Sequence, residues 1–236
     1  MSLKHRIITT LLFDETMQAV KPISFQRPYR RLGTLMQYIK VLDRRNIDEL
    51  ILIDITATEQ KREPNYEKLR EFTSNCFMPV TYGGGIRTLD SIRMALESGA
   101  DKVCIKTSEQ LIDKAAQKFG TQAIVYCLET NDEDMFKDVI SKAKEIEEKG
   151  AGEILLVDRD YDGTMRGYEL DFLQELVREI KIPIIACGGG SEPADMEYAL
   201  KNGASAVAAG SMFLFTEHTP RSCAKYLHER GYAVRL

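Results

Sequence analysis

Residues 79–107 read PVTYGGGIRTLDSIRMALESGADKVCIKT, and residues 183–211 read PIIACGGGSEPADMEYALKNGASAVAAGS. Each stretch contains a run of three glycines. When the stretches are aligned without a gap at a spacing of 104 residues, two glycines of each run, an alanine and a later glycine coincide. Upstream, DELILID at 48–54 matches GEILLVD at 152–158 at the same spacing. Matches this long at one spacing are hard to obtain by chance, so the second half of the chain repeats the first.

Short apolar runs alternate with amphipathic segments in both halves. Runs such as ELILID and IPIIAC are apolar at successive positions, which is typical of parallel strands buried on both faces. Two repeats of four strand–helix units predict a closed (β/α)8 TIM barrel, and the alternative is an open doubly wound sheet. The predicted strands are 6–13, 49–55, 79–82, 102–106, 122–128, 153–158, 182–187 and 206–210.

Composition limits the classes of function. The formal net charge of −4 argues against general nucleic-acid binding, and no apolar run approaches the roughly 18 residues of a membrane span. The five scattered cysteines are typical of reduced thiols in the cytoplasm, and the three dispersed histidines predict no metal site. No cofactor is expected. Because no linker separates the repeats, we expect one domain, 1–236, with half-barrels of about 1–120 and 121–236.

Both glycine runs follow predicted strands, so they lie at the mouth of the barrel, the face where the strands end and where such barrels carry their chemistry. Backbone amides at such turns favour a phosphate, whereas the alternative is a tight turn that needs positive φ. A hydroxyl residue recurs one unit after each run. We therefore expect two phosphates on opposite sides of the mouth, carried by one long ligand. The first-half site comprises Gly84, Gly85, Lys106 and Thr107, and the second-half site comprises Gly188, Gly189, Gly210 and Ser211.

Six motifs resemble the cyclase subunit of imidazole glycerol phosphate synthase: IDELILIDITAT, YGGGIRT, GADKVCIKT, AGEILLVDRDYDGT, IIACGGG and AAGSMF. The resemblance runs from about Arg6 to Leu236. It implies a lyase of histidine biosynthesis that joins ammonia from a glutaminase partner to a doubly phosphorylated ribotide and closes an imidazole ring. The sister isomerase of that pathway shares the barrel and the phosphate loops, but DITAT and DYDGT are more similar to the cyclase.

The resemblance also implies residue roles. Lys21, in the loop after the first strand, matches a lysine near the substrate, and Asp162 and Gly163 join the second-half site. Lys106 stands where the family usually has asparagine, and Asp101 matches a residue that faces the glutaminase. Four residues match a charge ring that gates an ammonia channel in the family: Arg6, Glu49, Lys102 and Glu153. The alternative for this charge ring is a salt-bridge plug, although an apolar layer would close the barrel with less desolvation.

The catalytic pair departs from the resemblance. The family ends its first and fifth strands with aspartate, whereas Leu12 and Glu129 occupy those positions here. Leucine cannot transfer a proton, and Asp14 could replace it only by rearrangement. We expect Glu129 to be the surviving acid or base, supported by Asp54 and Asp160 at the mouth. The alternative for Asp54 is that it caps the following helix.

Two functions fit these features. The first is the cyclase itself, which would turn over substrate with ammonia alone. The second is a catalytically altered paralogue that conducts ammonia and activates a glutaminase for amidination of a surface sugar, as in lipopolysaccharide; REPNYEKL and CFMPVTYGGGIRTL resemble that branch. Either function implies a heterodimer with a glutaminase, a phosphorylated small molecule as ligand and a cytoplasmic location, without nucleic acid or membrane as partners.

Overall fold

The computed structural model describes residues 4–45, 47–106, 109–131 and 135–236. The strands are β1 (Arg6–Phe13), β2 (Gln18–Ile23), β3 (Gln26–Thr34), β4 (Glu49–Asp54), β5 (Val80–Gly83), β6 (Lys102–Ile105), β7 (Ile124–Thr130), β8 (Glu153–Asp158), β9 (Ile184–Cys187) and β10 (Ala206–Ala209). The helices are α1 (Leu35–Arg44), α2 (Tyr66–Thr73), α3 (Leu89–Glu97), α4 (Glu109–Phe119), α5 (Phe136–Glu148), α6 (Asp171–Glu179), α7 (Pro193–Lys201), α8 (Ser211–Phe215) and α9 (Pro220–Glu229). A 3-10 turn covers Thr121–Ala123.

Eight of these strands form a closed parallel ring in the order β1, β4, β5, β6, β7, β8, β9 and β10. The ring closes where β10 pairs with β1, from Arg6 opposite Ala206 to Thr9 opposite Ala209. Helices connect successive ring strands, so the predicted (β/α)8 TIM barrel is confirmed and an open doubly wound sheet is excluded. The boundary between the predicted half-barrels, near residue 120, falls between α4 and the 3-10 turn.

Apolar side chains form two layers because successive residues of a strand point to opposite faces. A large cluster packs between the strands and the surrounding helices, as Ile7 and Leu11 do on β1. A smaller cluster fills the barrel interior, and its members include Ile8, Ile51, Val125, Leu155 and Ile185. This alternation explains why the strand sequences are apolar at successive positions.

An antiparallel hairpin, β2–β3, was not predicted. It continues from β1, with Leu12 opposite Val20 and Phe13 opposite Ala19. Its tip carries Ser24 and Phe25 at positive φ, 46° and 60°, which these residue types seldom adopt. The turn therefore lacked the Asn-Gly or Gly-rich signal of a hairpin.

No helix within the described ranges is long and apolar enough to span a bilayer.

Candidate active site at the barrel mouth

The second-half site is a pocket beside the ends of β9 and β10. Among the residues that line it are all six predicted for this site: Asp162, Gly163, Gly188, Gly189, Gly210 and Ser211. Ser211 begins α8 directly after Gly210, and no side chain caps this helix. The Ser211 hydroxyl oxygen is buried, and it has no hydrogen-bond partner among the described residues. An unpaired buried hydroxyl is costly, so this oxygen is available for a polar ligand group.

Lys21 contacts Asp162, one of the residues that line this pocket, from strand β2 of the hairpin, so it lies in a strand and not in the predicted loop. Its ammonium donates to both carboxylate oxygens of Asp162 at 2.9 Å, and its side chain is only 5% exposed. A methyl group added to Gly210 would lie 3.9 Å from the Lys21 ammonium. Ser24 fixes the hairpin tip over the pocket, since its N–H donates to the Asp162 carbonyl at 2.8 Å and its hydroxyl to the Asp160 carbonyl at 2.9 Å.

The glycine runs are required by the fold as well as by any ligand. Gly84 and Gly188 occupy equivalent turns with φ of 99° and 96°. A Cβ atom on Gly84 would lie 2.2 Å from the Asp54 carbonyl oxygen, and one on Gly188 would lie 2.9 Å from that of Asp158. The tight-turn alternative is therefore correct for these positions.

The helices after the glycine runs differ from the expectation of free N-terminal amides. Helix α3 begins at Leu89, and the Thr88 hydroxyl caps it by accepting the Ser91 N–H at 3.0 Å. Before α7, the Asp195 carboxylate accepts the Ser191 N–H at 2.8 Å. The Thr88 side chain thus caps α3, the Asp195 carboxylate binds the N–H groups that precede α7, and the N-terminus of α8 has no side-chain cap.

The first-half site brings together two of the three positions that depart from the resembled family, Lys106 and Glu129. Lys106 follows β6, and its ammonium contacts the carboxylate of Glu129 on the neighbouring strand β7. The Arg159 Nε lies 3.9 Å from the same carboxylate oxygen. Gly84 and Gly85 form the turn after β5, while Thr107 lies outside the described residues. Their positions at neighbouring strand ends were the signal in the sequence that could have paired Lys106 with Glu129.

Leu12 and Glu129 lie on opposite sides of the mouth, because β1 and β7 are four strands apart in the ring. Strand alternation places Leu12 on the same face as Arg6 and Ile8, towards the interior. Asp14 does not replace a carboxylate there. Its side chain accepts the Thr16 N–H at 2.9 Å and the Thr16 hydroxyl at 2.6 Å inside the hairpin turn.

Asp14 is also held ionised. Burial acts to raise its pKa, but hydrogen bonds from Thr16 and Gln18, with the Arg31 guanidinium at 3.3 Å, outweigh burial and lower the pKa below its ordinary value. This carboxylate therefore stabilises the start of the hairpin.

Asp54 is enclosed within the loop after β4. It is 1% exposed, and Arg62 donates to both of its oxygens at 2.9 Å. The N–H groups of Thr56 and Ala57 also donate to it. The proposed cap of the following helix is wrong, because Asn65 caps α2 by accepting the Lys68 N–H at 3.0 Å. Asp54 thus organises this loop.

Asp160 lies in the turn after β8. Its N–H donates to the Asp158 carboxylate at 2.8 Å, and its carbonyl accepts the hydroxyl of Ser24. Asp160 is thus placed where the hairpin meets the second-half site. Within the described ranges, no cluster of three or more histidine, cysteine, aspartate or glutamate residues is arranged to hold a metal ion.

Cysteines lie beneath the mouth. Burial raises the pKa of Cys187 to about 12. A hydrogen bond with Cys104, followed by burial, raises the pKa of Cys127. Both effects keep the thiols protonated and unreactive, so these side chains serve as small core residues.

The charge ring closes the opposite face of the barrel, where the strands begin. Arg6 lies 2.7 Å from both Glu49 and Glu153, and Lys102 lies 3.2 Å from Glu49 and 3.0 Å from Glu153. Burial acts to lower the pKa of Arg6, but the Glu153 and Glu49 carboxylates raise it above its ordinary value. Every charge of the ring has a partner of opposite sign, as the salt-bridge plug alternative requires. A gating role stays a prediction.

Two further contacts fix the residues at this face. The Thr81 hydroxyl donates to Glu49 at 2.7 Å. Asp101 is exposed at the start of β6, and its carboxylate accepts the Val80 N–H at 2.8 Å. Asp101 therefore supports the β5–β6 connection, and its place on the surface is compatible with the predicted contact to a partner.

Similarity to known proteins agrees with this geometry. A family model described as histidine biosynthesis protein matches residues 15–219. A protein from Campylobacter jejuni is 38% identical over 99% of both chains, and one from Pseudomonas aeruginosa is 35% identical over 90% of this chain and 91% of its own. Both carry the provisional name imidazole glycerol phosphate synthase subunit hisF2.

A third relative, from Thermococcus onnurineus, is 34% identical over 99% of both chains and is named imidazole glycerol phosphate synthase subunit HisF. These relatives confirm the resemblance that the motifs indicated. The chain therefore belongs to the histidine biosynthesis protein family and is similar to its HisF-type subunits.

Proposed function

We propose that the chain is a cyclase-type subunit of imidazole glycerol phosphate synthase that acts on a bis-phosphorylated ribotide. The observation that carries this proposal is the second-half site. There the buried Ser211 hydroxyl, the uncapped start of α8 and the Lys21 ammonium lie around one glycine-lined pocket. Hydroxyl, ammonium and backbone N–H groups are the donors that hold a phosphate.

The second phosphate belongs at the first-half site, beside Gly84, Gly85 and the exposed ammonium of Lys106. A ligand with a phosphate at each end would then lie across the mouth, with its reacting centre above the barrel interior. Holding both ends fixes the reacting atoms, and such positioning supplies a large part of the rate enhancement of many enzymes.

Ammonia would enter at the charge ring from a glutaminase partner docked on that face, near Asp101. The charge ring separates this face from an apolar interior that includes Ile51 and Val125. An apolar lining would let neutral ammonia move on through the barrel. To admit ammonia to that interior, the four side chains of the charge ring would first have to separate. The side chains of Arg6 and Lys102 are 26% and 18% exposed, compared with 3% for Glu49. Arg6 and Lys102 are therefore the side chains that would move towards solvent when the ring opens.

Glu129 is the proposed proton-transfer residue at the mouth, with Asp160 beside the second-half site in support. Asp54 has a positioning role, because both of its oxygens are bonded within its own loop. Family membership and the free cysteines, typical of reducing compartments, support an enzyme of the cytoplasm.

A second candidate is a conduit that activates the glutaminase and passes ammonia to a third protein for amidination of a sugar. The observation that favours it is Leu12, which puts an apolar side chain on the interior-facing side of β1 where proton transfer would need an acid or base. The contact between Lys106 and Glu129 points the same way, since it occupies the carboxylate on the other side.

The test is a steady-state assay with the bis-phosphorylated ribosyl substrate and ammonium at high pH. The wild type is compared with Leu12→Asp and with Leu12→Asn, which adds polarity without an acid. Wild-type turnover supports the cyclase. Activity gained only by Leu12→Asp supports the conduit. Failure of all three proteins to bind the substrate contradicts the phosphate sites themselves.

A further inference from the structure

The mouth contains two lysine–carboxylate pairs with different accessibility. Lys21 and Asp162 form one pair, and their side chains are 5% and 12% exposed. Lys106 and Glu129 form the other, and their side chains are 55% and 15% exposed. A buried pair separates only at a large desolvation cost, whereas an exposed ammonium exchanges partners readily. Lys106 is therefore the lysine whose partner an incoming anion can change.

Glu129 is the fixed member of its pair. It lies on β7, where it pairs with Val157 of the adjacent strand β8. Lys106 follows the end of β6 on a long flexible side chain, and Arg159 approaches Glu129 from the other side at 3.9 Å. The Arg159 guanidinium also lies 5.3 Å from the centre of the Phe25 ring at the hairpin tip. Two cations thus converge on a carboxylate whose backbone is held by the barrel.

We propose that Glu129 is the counter-ion of Lys106 and sets how tightly the first-half site binds a phosphate. This inference rests on the proposed function, because it concerns the anion that Lys106 would bind. An ammonium group has three N–H donors, so Lys106 can donate to Glu129 and to a phosphate at once. The phosphate then shares its lysine with a negative charge.

Two opposing effects decide whether Glu129 strengthens or weakens phosphate binding at the first-half site. Glu129 orders the Lys106 side chain in advance, which favours binding by about two- to tenfold. Its charge also repels a dianion held by the same ammonium, which weakens binding by about ten- to a hundredfold near a protein surface. Repulsion is the larger effect, so Glu129 lowers the affinity of the first-half site and speeds release of the phosphate.

The test is calorimetric titration of the full chain with inorganic phosphate, using Glu129→Gln, which keeps an oxygen acceptor for Lys106 and removes the charge. We expect Glu129→Gln to bind phosphate about tenfold more tightly at the first-half site than the wild type does. The matched control, Glu129→Asp, keeps the charge and should stay near the wild-type affinity. The double variant Glu129→Gln/Lys106→Met should lose the gain.

Two readouts separate a charge effect from a change in structure. The gain in Glu129→Gln should shrink as the salt concentration rises, because salt screens exposed charges. Amide chemical shifts of Gly84 and Gly85 should report the tighter site, while those of Gly188 and Gly189 keep the wild-type titration midpoint. An unchanged or weakened affinity in Glu129→Gln at low salt concentration overturns the inference.

Failure of this inference and failure of the proposed function give different results. If Glu129 acts only in proton transfer, Glu129→Gln loses turnover while its phosphate affinity equals that of the wild type. The inference then fails and the proposed function stands. If the bis-phosphorylated substrate does not bind the wild type, and Ser211→Ala leaves the phosphate affinity of the second-half site unchanged, the proposed function fails. A gain in phosphate affinity by Glu129→Gln would still support the counter-ion.

Discussion

The two sides of the mouth share one repeated backbone and differ in what covers them. The turns at Gly84 and Gly188 have nearly the same φ, 99° and 96°. The hairpin, however, leaves β1 in the first half of the chain and crosses to the second-half site, where Lys21 meets Asp162. The first-half site has the exposed Lys106 in place of this buried pair. The repeat thus places two sites at equivalent positions, and the hairpin, which covers one of them, makes them chemically unequal.

The largest expected difference between the two sides is in stability. Asp162→Asn leaves the buried Lys21 ammonium without a counter-charge, and we expect it to lower the free energy of unfolding by about 3–5 kcal/mol. Lys106→Met removes an exposed charge, and its effect should be below about 1 kcal/mol. Urea unfolding at neutral pH measures both. Equal costs for the two variants would contradict the distinction between a buried and an exchangeable lysine.

The glycine turns should differ less. Gly84→Ala puts a methyl group 2.2 Å from a backbone carbonyl, compared with 2.9 Å for Gly188→Ala, and both residues have positive φ. We expect losses of about 3 kcal/mol for Gly84→Ala and about 2 kcal/mol for Gly188→Ala. Thermal or urea unfolding of the pair checks the order. The reverse order would show that the turn after β9 is the more rigid of the two.

The charge ring offers a comparison between repeat partners at the other face. Glu49 and Glu153 each contact Arg6 and Lys102, but Glu49 also accepts the Thr81 hydroxyl and is only 3% exposed. Glu49→Gln should therefore cost about 2 kcal/mol and Glu153→Gln about 1 kcal/mol. A double-mutant cycle with Thr81→Val isolates the extra contact. If that cycle gives no coupling, the difference lies in burial alone.

The smallest effect concerns the start of the hairpin that covers the second-half site. The folded state lowers the pKa of Asp14 below the 3.8 of an unfolded chain. Its stabilising contribution is therefore complete above about pH 4 and is lost as the pH falls through the lowered pKa. Asp14→Asn should destabilise the protein at pH 6 and have less effect at pH 3. The exposed Asp90, changed to Asn, serves as a control with little effect at either pH.

The regular part of the barrel was predictable because it depends on periodic patterns. The predicted strands 6–13 and 153–158 agree with β1 and β8 at both ends, and the predicted strand 122–128 is displaced because a 3-10 turn occupies its start. Buried parallel strands are marked by continuous apolar runs, and the repeat supplied the ring closure. These signals are local or repeated, so one sequence contains them.

The hairpin and the ion pairs were not predictable in the same way. Lys21 and Asp162 are 141 residues apart, and their contact depends on a turn whose residues, Ser24 and Phe25, carry no hairpin signal. The contact between Lys106 and Glu129 needs the register of neighbouring strands. The charge ring was found in the sequence only through resemblance, and its pairing into a closed set of bonds is a tertiary property.

The charge ring also makes the two half-barrels unlike partners. The first half contributes Arg6, Glu49 and Lys102, a net charge of one positive unit, and the second half contributes Glu153, one negative unit. Two copies of the first half would bring a surplus of positive charge to a buried junction, and two copies of the second would bring a surplus of negative charge. Charge balance at the ring therefore favours one first half joined to one second half. The two copies of the repeat are no longer interchangeable at this face.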